Sequence, residues 1–350
     1  MTRLKRGVTL FASTNPDEYF CGTLKRTIRI STAEDKRQIH LLSGPDFSQA
    51  EPEPHLLAQL AELQLIDTSE SALTLTQRHD ADGARHDAAF TQLRTRVGAE
   101  LAQSSWIDGV RDTGVTIVNS RQNFLIEISG ANRVATLLYS LLLASGVTQT
   151  RYSAATQPLA RINNLDIALS GFLPRDIGAP LIKEQEKRRQ DFSLFPIDKD
   201  CNYLDELSTP DLIIHCGEVD PEKYARWMTL GQPFLYLPAP IADCAEIGPL
   251  VIPGKTPCIR CAQLWFQENT GTVVTPSLGS PSTASYPIVA AHYIAAIAAS
   301  HALAFCDSRT LGSDCEVTGK VTICDYQSLS TPQEITIARH PLCGCSFNDR

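Results

Sequence analysis

The sequence predicts an α/β protein whose main domain is a mostly parallel sheet, preceded by a smaller domain and held together by a metal site. Residues 124–128, 211–216 and 234–237 are apolar runs of strand length, and helical segments alternate with them. This alternation indicates a parallel sheet that is covered on both faces. Four cysteines form two close pairs, one near residue 260 and one at the end of the sequence. Such pairs indicate a metal site that joins two distant parts of the main domain.

The first 80 residues have the pattern of a small winged-helix domain. Residues 20–24 and 26–30 read as strands. Residues 31–34 fit a capping box that begins a short helix reaching Leu42, and leucines at helical spacing between 52 and 65 predict a second helix. Residues 66–67 are expected to turn into a strand at 72–76. Residues 81–112 are predicted to hold a linker and a spacer helix at 88–102, and the main domain is expected to cover residues 113–350.

Composition and charge argue against nucleic acid as a partner and indicate the compartment of the protein. The chain has 350 residues and a formal net charge of -8, with a pI of about 5.5. Nucleic acid is not expected as the main partner, because phosphate binding needs a basic surface. Eleven cysteines, some of them at metal-type spacing, fit the reducing cytoplasm better than a disulfide framework. The N-terminus has no apolar segment typical of a signal peptide, so a cytoplasmic protein is expected.

Residues 286–305 form a stretch as long as a membrane span and free of Asp, Glu, Lys and Arg. It is rich in alanine, poor in large aliphatic residues, and contains His292 and His301. This composition favours a buried helix, or one that forms a homodimer, over a membrane span.

The two cysteine pairs are Cys258-Ile-Arg-Cys261 and Cys343-Gly-Cys345, both in turns rich in Pro or Gly. Four thiolates satisfy the tetrahedral coordination of zinc and leave no open position, so the predicted role is structural. The site would be a zinc clasp between the end of the chain and a distant loop. The second pair is unusually tight, and His340 with Cys343 is an alternative pair of ligands. The other interpretation is that seven cysteines are scattered through the core and these four lie close in the sequence by chance.

A strand, a turn and a helix at residues 124–145 have the arrangement of a nucleotide-binding Rossmann-like fold. The usual loop is Gly-x-Gly-x-x-Gly, in which the second glycine lets phosphate approach the backbone. Here Gly130 keeps the first position, while Asn132 and Ala135 replace the second and third glycines. The acidic residue expected for a ribose is also missing near Ser153. The loop is therefore either a fold that has lost nucleotide binding or a phosphate loop that tolerates Asn132.

Taken together, these motifs resemble the ThiF/MoeB-like superfamily of ubiquitin-activating-type enzymes. The resemblance is strongest to the stand-alone branch found in biosynthesis of ribosomal modified peptides (RiPPs), including thiazole- and oxazole-containing bacteriocins. It covers roughly residues 115–345, and its most specific parts are Ile-Gly-Pro-Leu-Val-Ile-Pro-Gly-Lys-Thr-Pro-Cys-Ile-Arg-Cys at 247–261 and His-Pro-Leu-Cys-Gly-Cys at 340–345. Asp-Ile-Gly at 176–178 resembles a further short element of the family. The winged helix resembles the peptide-recognition element that these proteins often carry.

Activating members of this family bind ATP and Mg²⁺ and adenylate a carboxyl terminus. Besides the changed loop, this chain has Leu181 where the family has a basic residue, although Lys183 is close by. The metal-binding aspartate expected after strand 211–216 has no clear match, and Glu218 and Asp220 are the nearest carboxylates. Adenylation depends on such charges.

The resemblance therefore leads to two hypotheses. In the first, the protein has no catalytic residue; it binds the leader of a precursor peptide and presents it to a YcaO-type cyclodehydratase. Strand 26–30 would accept the peptide as an added strand, and Arg26 and Arg29 would attract an acidic leader or merely protect the edge. In the second, the protein is an ATP-dependent adenylyltransferase.

The second hypothesis places ATP and Mg²⁺ at Gly130, Asn132, Arg133 and Lys183, with Glu218 or Asp220 as the carboxylate. A weaker third possibility is cysteine chemistry at Cys216. His215 is poorly placed to activate it, because adjacent residues of a strand point to opposite faces.

Overall fold

The computed structural model describes residues 2–15, 18–74, 83–153, 161–169, 171–197, 208–241, 243–271 and 285–345, with backbone alone for 83–92, 94 and 182. The chain divides into two compact units, Met1–Ser120 and Arg121–Arg350. The sequence placed the start of the main domain a few residues earlier, after residue 112.

The first unit contains two small antiparallel sheets and several helices. Strand β1 pairs with β5, and β2, β3 and β4 form a three-stranded sheet in that order. The strands are β1 (Arg3–Leu4), β2 (Thr9–Ala12), β3 (Tyr19–Gly22), β4 (Thr27–Ile30) and β5 (Ile66–Asp67). The helices are α1 (Ala33–Ser43), α2 (Pro54–Glu62), α3 (Gly83–Ser104) and α4 (Val115–Arg121), the last of which ends one residue past the boundary.

The strands predicted at 20–24 and 26–30 are present as β3 and β4. Helix α1 begins one residue later than the predicted capping box requires, because Thr32 is the N-cap and its hydroxyl accepts from the backbone N–H of Asp35 at 3.0 Å. Residues 66–67 form strand β5 rather than the expected turn, since they pair with β1. Of the strand expected at 72–76, residues 72–74 form no strand and the rest lie outside the described residues.

The second unit is built on a five-stranded sheet with the order β11-β9-β8-β6-β7. Strands β7, β6, β8 and β9 are parallel neighbours, and β11 adds an antiparallel edge. A second sheet, β10-β12-β13, is antiparallel. The strands are β6 (Leu125–Ser129), β7 (Gln149–Tyr152), β8 (Leu212–Cys216), β9 (Phe234–Leu237), β10 (Cys244–Ile247), β11 (Leu250–Val251), β12 (Lys320–Asp325) and β13 (Gln333–Thr336).

Helices cover both faces of the parallel sheet, as the alternation of strands and helices predicts. The helices are α5 (Arg133–Ala144), α6 (Leu181–Phe192), α7 (Pro221–Thr229), α8 (Ile259–Thr270) and α9 (Ile288–Leu311). Leu212 and Ile214 point into a core formed with α5 and α9, whereas Ile213 points into a core formed with α7 and α8. The mostly parallel α/β sheet predicted from the sequence is therefore confirmed.

Helix α9 is the predicted charge-free helix, extended to Leu311. It packs closely against α5, and Ile294, Ala298 and Phe305 are buried in the core. Among the described residues it is the one helix long and apolar enough to cross a membrane, and half of its most apolar window is buried within the fold. This burial is what a core helix requires.

Helix α6 buries several of its charged and polar residues. Its run of charges at 183–189 resembles a solvated surface, yet Glu184, Gln185, Arg188 and Arg189 are all buried. Partner groups explain part of this burial. Arg188 forms an ion pair with Asp176 at 2.6 Å, and Lys187 pairs with Glu184 at 2.6 Å.

Candidate functional site

The four predicted zinc ligands come together in the second unit. Cys258 is the N-cap residue of α8 and Cys261 lies in its first turn. Cys343 and Cys345 lie in the turn that follows β13. Their four sulfur atoms all lie within 4.8 Å of one another. The resulting group, which we call the four-cysteine site, joins the last described residues of the chain to the start of α8.

The geometry of the four-cysteine site fits a tetrahedral ion. Sulfur atoms bound to one zinc at about 2.3 Å lie roughly 3.8 Å apart. The Sγ atom of Cys258 lies 3.7 Å from that of Cys261 and 3.3 Å from that of Cys343. The Sγ atoms of Cys261 and Cys345 are 3.4 Å apart. Small shifts would bring these distances to the zinc value.

Four sulfurs this close also need a cation if all of them are to ionise. The hydrogen bond with Cys261 and burial raise the pKa of Cys258 to about 12, and the same hydrogen bond lowers the pKa of Cys261. One thiol therefore keeps its proton and donates it to the other. A divalent cation removes this conflict by stabilising every thiolate. The donor set thus fits zinc in a structural role.

His340 does not belong to the ligand group. Its Nδ1 accepts a hydrogen bond from the backbone N–H of Leu342 at 3.2 Å, and its Nε2 lies 2.9 Å from Oε1 of Glu268. The backbone N–H of His340 donates to the sulfur of Cys261 at 3.3 Å. This residue therefore supports the site through its backbone, while the Cys343–Cys345 pair supplies the sulfurs.

The loop after β6 uses a side chain of its own to bond a backbone N–H at the start of α5. Gly130 has a φ of 106°, and a side chain there would collide with the carbonyl oxygen of Cys216. Asn132 is the N-cap of α5, and its side-chain oxygen accepts from the N–H of Ala135 at 2.9 Å. That N–H belongs to the helix N-terminus on which phosphate sits in nucleotide-binding loops. Asn132 therefore occupies the anion position with its own carboxamide.

Arg133 is also committed to the protein. Its Nε donates to the carbonyl of Ile167 at 2.7 Å, and its Nη1 donates to the carbonyl of Tyr286 at 2.6 Å. The guanidinium thus ties the segment after β7 and the residues before α9 to the start of α5. An ATP phosphate would have to displace these two bonds.

The other residues considered for an ATP site differ in exposure and in bonding. Lys183 is exposed, and Leu181, where the resemblance implies a basic residue, is buried. Asp220 is the N-cap of α7 and accepts from the N–H of Glu222 at 3.1 Å. Glu218 is exposed, and its backbone carbonyl lies 2.8 Å from Nε2 of His215.

His215 and Cys216 lie on opposite faces of the sheet, as strand geometry predicts. His215 Nδ1 lies 3.1 Å from the hydroxyl of Ser129, and its ring stacks on Tyr236. Cys216 belongs to the core on the α5 side. Burial raises the pKa of Cys216 to about 12, so this thiol is protonated at neutral pH. The arrangement does not support cysteine catalysis.

The two arginines proposed to attract a leader peptide have partners within the first unit. Arg29 on β4 forms an ion pair with Glu18. Arg26 donates to Oε1 of Gln64 at 3.0 Å and lies 3.6 Å from Asp108. Strand β4 itself is an edge of the three-stranded sheet. These contacts favour a structural role for the arginines, and they leave the strand edge as the candidate peptide-binding feature.

Sequence reasoning missed the roles of two residues, one in the loop after β6 and one in the Asp-Ile-Gly element at 176–178. Asn is a preferred N-cap residue, so its position before an apolar helix was a readable signal for the capping role of Asn132. Asp176, in the element that resembles a family motif, pairs with Arg188 and accepts from the N–H of Leu173 at 2.8 Å. No signal in the sequence names Arg188 as its partner, because the contact depends on how α6 packs.

The fold and the four-cysteine site define the class to which the structure corresponds. It is an α/β protein with a mostly parallel sheet and a group of four cysteines that fits a metal ion. No protein-family model matches the sequence, and no curated protein matches it either. The likeness is found in solved structures.

Two solved proteins with this fold align over nearly the whole chain. One is Escherichia coli MccB, a microcin C7 biosynthetic enzyme. Its structure with MccA-N7isoASN has a TM-score of 0.66 and 14% identity, covering 99% of both chains, and its structure with ATP has a TM-score of 0.62, 14% identity and the same coverage. The other is PaaA, with a TM-score of 0.61 and 13% identity over 96% of this chain and 100% of that one. At this level of identity the likeness establishes the fold.

Proposed function

We propose that this protein is a non-catalytic ThiF-like partner protein of bacteriocin or related modified-peptide biosynthesis. It binds the leader of a precursor peptide in the cytoplasm and presents it to a modifying enzyme, in our proposal a YcaO-type cyclodehydratase. The observation that carries the loss of catalysis is the pair of contacts at the start of α5. Asn132 caps the helix with its own side chain, and Arg133 is held by two backbone carbonyls.

These contacts engage groups that would have to bind the ATP phosphates during adenylation. A phosphate chain must be neutralised by backbone N–H groups, cations and Mg²⁺. In this chain a carboxamide occupies the helix N-terminus, a buried Leu181 replaces the basic residue, and Arg133 serves as an internal tie. The loss of one of these groups would only lower the rate of adenylation. The loss of all three would remove most of the stabilisation of the phosphate charge.

Peptide binding is assigned to the first unit, which we take to be a winged-helix recognition domain. Strand β4 lies at the edge of its sheet, with Ile28 and Ile30 packed inward. An extended peptide that pairs with this edge gains backbone hydrogen bonds, and its side chains supply specificity. The solved MccB complexes with MccA support a peptide as the partner of this fold.

The alternative function is an ATP-dependent adenylyltransferase that activates a carboxyl group of a peptide or small protein. The observation in its favour is the MccB structure with ATP, which aligns with 99% of this chain. In that case ATP and Mg²⁺ would bind near Gly130, Asn132, Arg133 and Lys183, and Arg133 would have to release the carbonyls that it now binds.

Calorimetric titration separates the two functions. We expect no saturable binding of ATP in the presence of Mg²⁺, and saturable binding of the precursor peptide encoded beside the gene. Pyrophosphate release from ATP on addition of that peptide would instead establish the adenylyltransferase. Asn132→Gly provides a matched variant, because it frees the helix N-terminus without removing a charge.

The strand-edge assignment has its own test in the peptide. Leader analogues with N-methyl groups at alternate residues keep every side chain but remove backbone donors. We expect binding, measured by fluorescence anisotropy, to fall at least tenfold for one of the two alternate series. Equal affinity for both series and the parent peptide would place the peptide elsewhere.

A further inference from the structure

The buried face of α6 contains an arginine whose donors the described residues satisfy only in part. Arg189 is 3% exposed. Among the described residues, its one contact to an acid is through Nη1, which lies 3.5 Å from Oε2 of the half-exposed Glu186. Its Nε and Nη2 atoms are buried and have no hydrogen-bond acceptor in the same part of the chain. Buried N–H groups of a guanidinium that lack an acceptor are destabilising, so this arrangement calls for an anion.

The same fold shows what that edge of a guanidinium binds when it is satisfied. In the buried pair of Arg121 and Asp307, Nε donates to Oδ1 at 3.0 Å and Nη2 donates to Oδ2 at 2.7 Å. Nε and Nη2 form a fork that matches two oxygens of one carboxylate or phosphate. Arg189 holds this fork inside the protein.

A second donor, on the neighbouring helix α5, lies close enough to Arg189 to be affected by its charge. Tyr139 on α5 is 2% exposed; the side chain of Gln185 lies beside its hydroxyl oxygen, and the hydroxyl proton has no acceptor among the described residues. The charge of Arg189 acts on this phenol, and Gln185 is its neighbour on α6. Burial raises the pKa of Tyr139 above its usual value, so the phenol keeps its proton and remains a donor.

The geometry points to an oxyanion-binding site between α5 and α6, formed by the Nε–Nη2 edge of Arg189 and the hydroxyl of Tyr139. The ligand is negatively charged and has two oxygens that can accept the parallel N–H groups of the fork, as a phosphate, a sulfate or a carboxylate has. The site is distinct from the loop after β6 and does not depend on the proposed peptide-binding function. A bound oxyanion would stabilise the packing of α6 on α5.

Thermal unfolding of the full chain tests this site with three probes. Sodium phosphate, sodium sulfate and sodium acetate are titrated against sodium chloride at equal ionic strength. We expect a saturable rise in Tm with at least one oxyanion and not with chloride. Phosphate and sulfate acting without acetate identify a tetrahedral ligand, and acetate acting as well identifies a general oxyanion. If none of them raises Tm beyond the effect of chloride, the site does not exist.

Variants link the effect to the named atoms. Tyr139→Phe removes one donor and keeps the ring, so the anion should bind about three- to tenfold more weakly, as expected for one hydrogen bond. Arg189→Met keeps an apolar stem and should abolish the saturable response, whereas Arg175→Met, at an exposed arginine, should leave it unchanged. If Arg189→Met does not fold, Tyr139→Phe still decides, because an unchanged affinity in that variant overturns the assignment.

Discussion

The carboxamide of Asn132 and the imidazole of His215 both form hydrogen bonds within the protein. Asn132 satisfies a helix N–H that a phosphate would otherwise bind. His215, at the carboxyl end of the parallel strands, bonds to Ser129 and to the carbonyl of Glu218. This edge of an open α/β sheet is the usual place for ligands. Here its polar groups are bonded to one another.

Asn132 should contribute to stability as a helix cap. We expect Asn132→Ala to lower the free energy of unfolding by about 1 kcal/mol, because one N–H of α5 loses its acceptor. Asn132→Asp keeps an acceptor at the same position and should change stability much less. Urea unfolding of both variants checks this, and equal losses in the two would argue against the capping role.

His215 should make the second unit sensitive to acid. Burial lowers the pKa of His215 below 6.5, and burial also lowers the pKa of His301. The unfolded chain then binds more protons than the folded chain between the two pKa values. The stability that neutral His215 confers is therefore present above about pH 6.5 and decreases as the pH falls toward the folded pKa.

NMR titration of the histidine ring protons measures this directly. We expect the His215 signal to stay in its neutral position at pH values where free histidine is already half protonated. A His215 signal that titrates at or above pH 6.5 would contradict the effect of burial.

Elements of the second unit are joined by two kinds of contact. The sheet and helices α5 and α9 meet through an apolar core. The start of α8 and the turn after β13 meet at the four-cysteine site, beside a smaller core that includes Phe266 and Ile337. Because this second contact joins distant parts of the chain, its strength should depend strongly on the metal.

The four-cysteine site should contain one zinc ion per chain, measurable by elemental analysis of the purified protein. Structural zinc contributes roughly 10–16 kcal/mol to the folding of small zinc domains, so its loss should be readily detected here. We expect Cys258→Ser to lose the metal and to lower Tm or solubility. Cys244→Ser, at a half-buried cysteine outside the site, should keep the metal. If the Cys258→Ser protein is as stable as the wild type and the wild type contains no metal, the prediction of a structural zinc site is wrong.

At the scale of the whole molecule, the chain consists of two compact units with different proposed tasks. The first has the edge strand β4, and the second has the mostly parallel sheet with Asn132 bonded at the start of α5. Under the proposed function, separate units would allow peptide binding to persist after catalysis is lost.

Homodimer formation remains a prediction about the whole molecule. Helix α9 leaves an apolar stripe partly exposed, including Val289, Tyr293 and Ile297. Two copies of such a stripe can pack around a twofold axis. Light scattering coupled to gel filtration should give twice the chain mass of 38.3 kDa, and Val289→Glu should shift the protein toward monomer. A monomer at high concentration would refute this prediction.

The sequence by itself determined the mostly parallel sheet and the residues of the four-cysteine site. Both follow from local information, namely the alternation of apolar runs and the spacing of cysteines within turns. Only the tertiary structure decided that Arg133 binds two backbone carbonyls and that charged residues of α6 are buried. It also decided that His340 is not among the ligands of the four-cysteine site. These outcomes depend on carbonyls and carboxylates contributed by distant segments, such as Tyr286 for Arg133. The sequence shows which residues are charged, but the group that each charged side chain binds depends on how the helices pack.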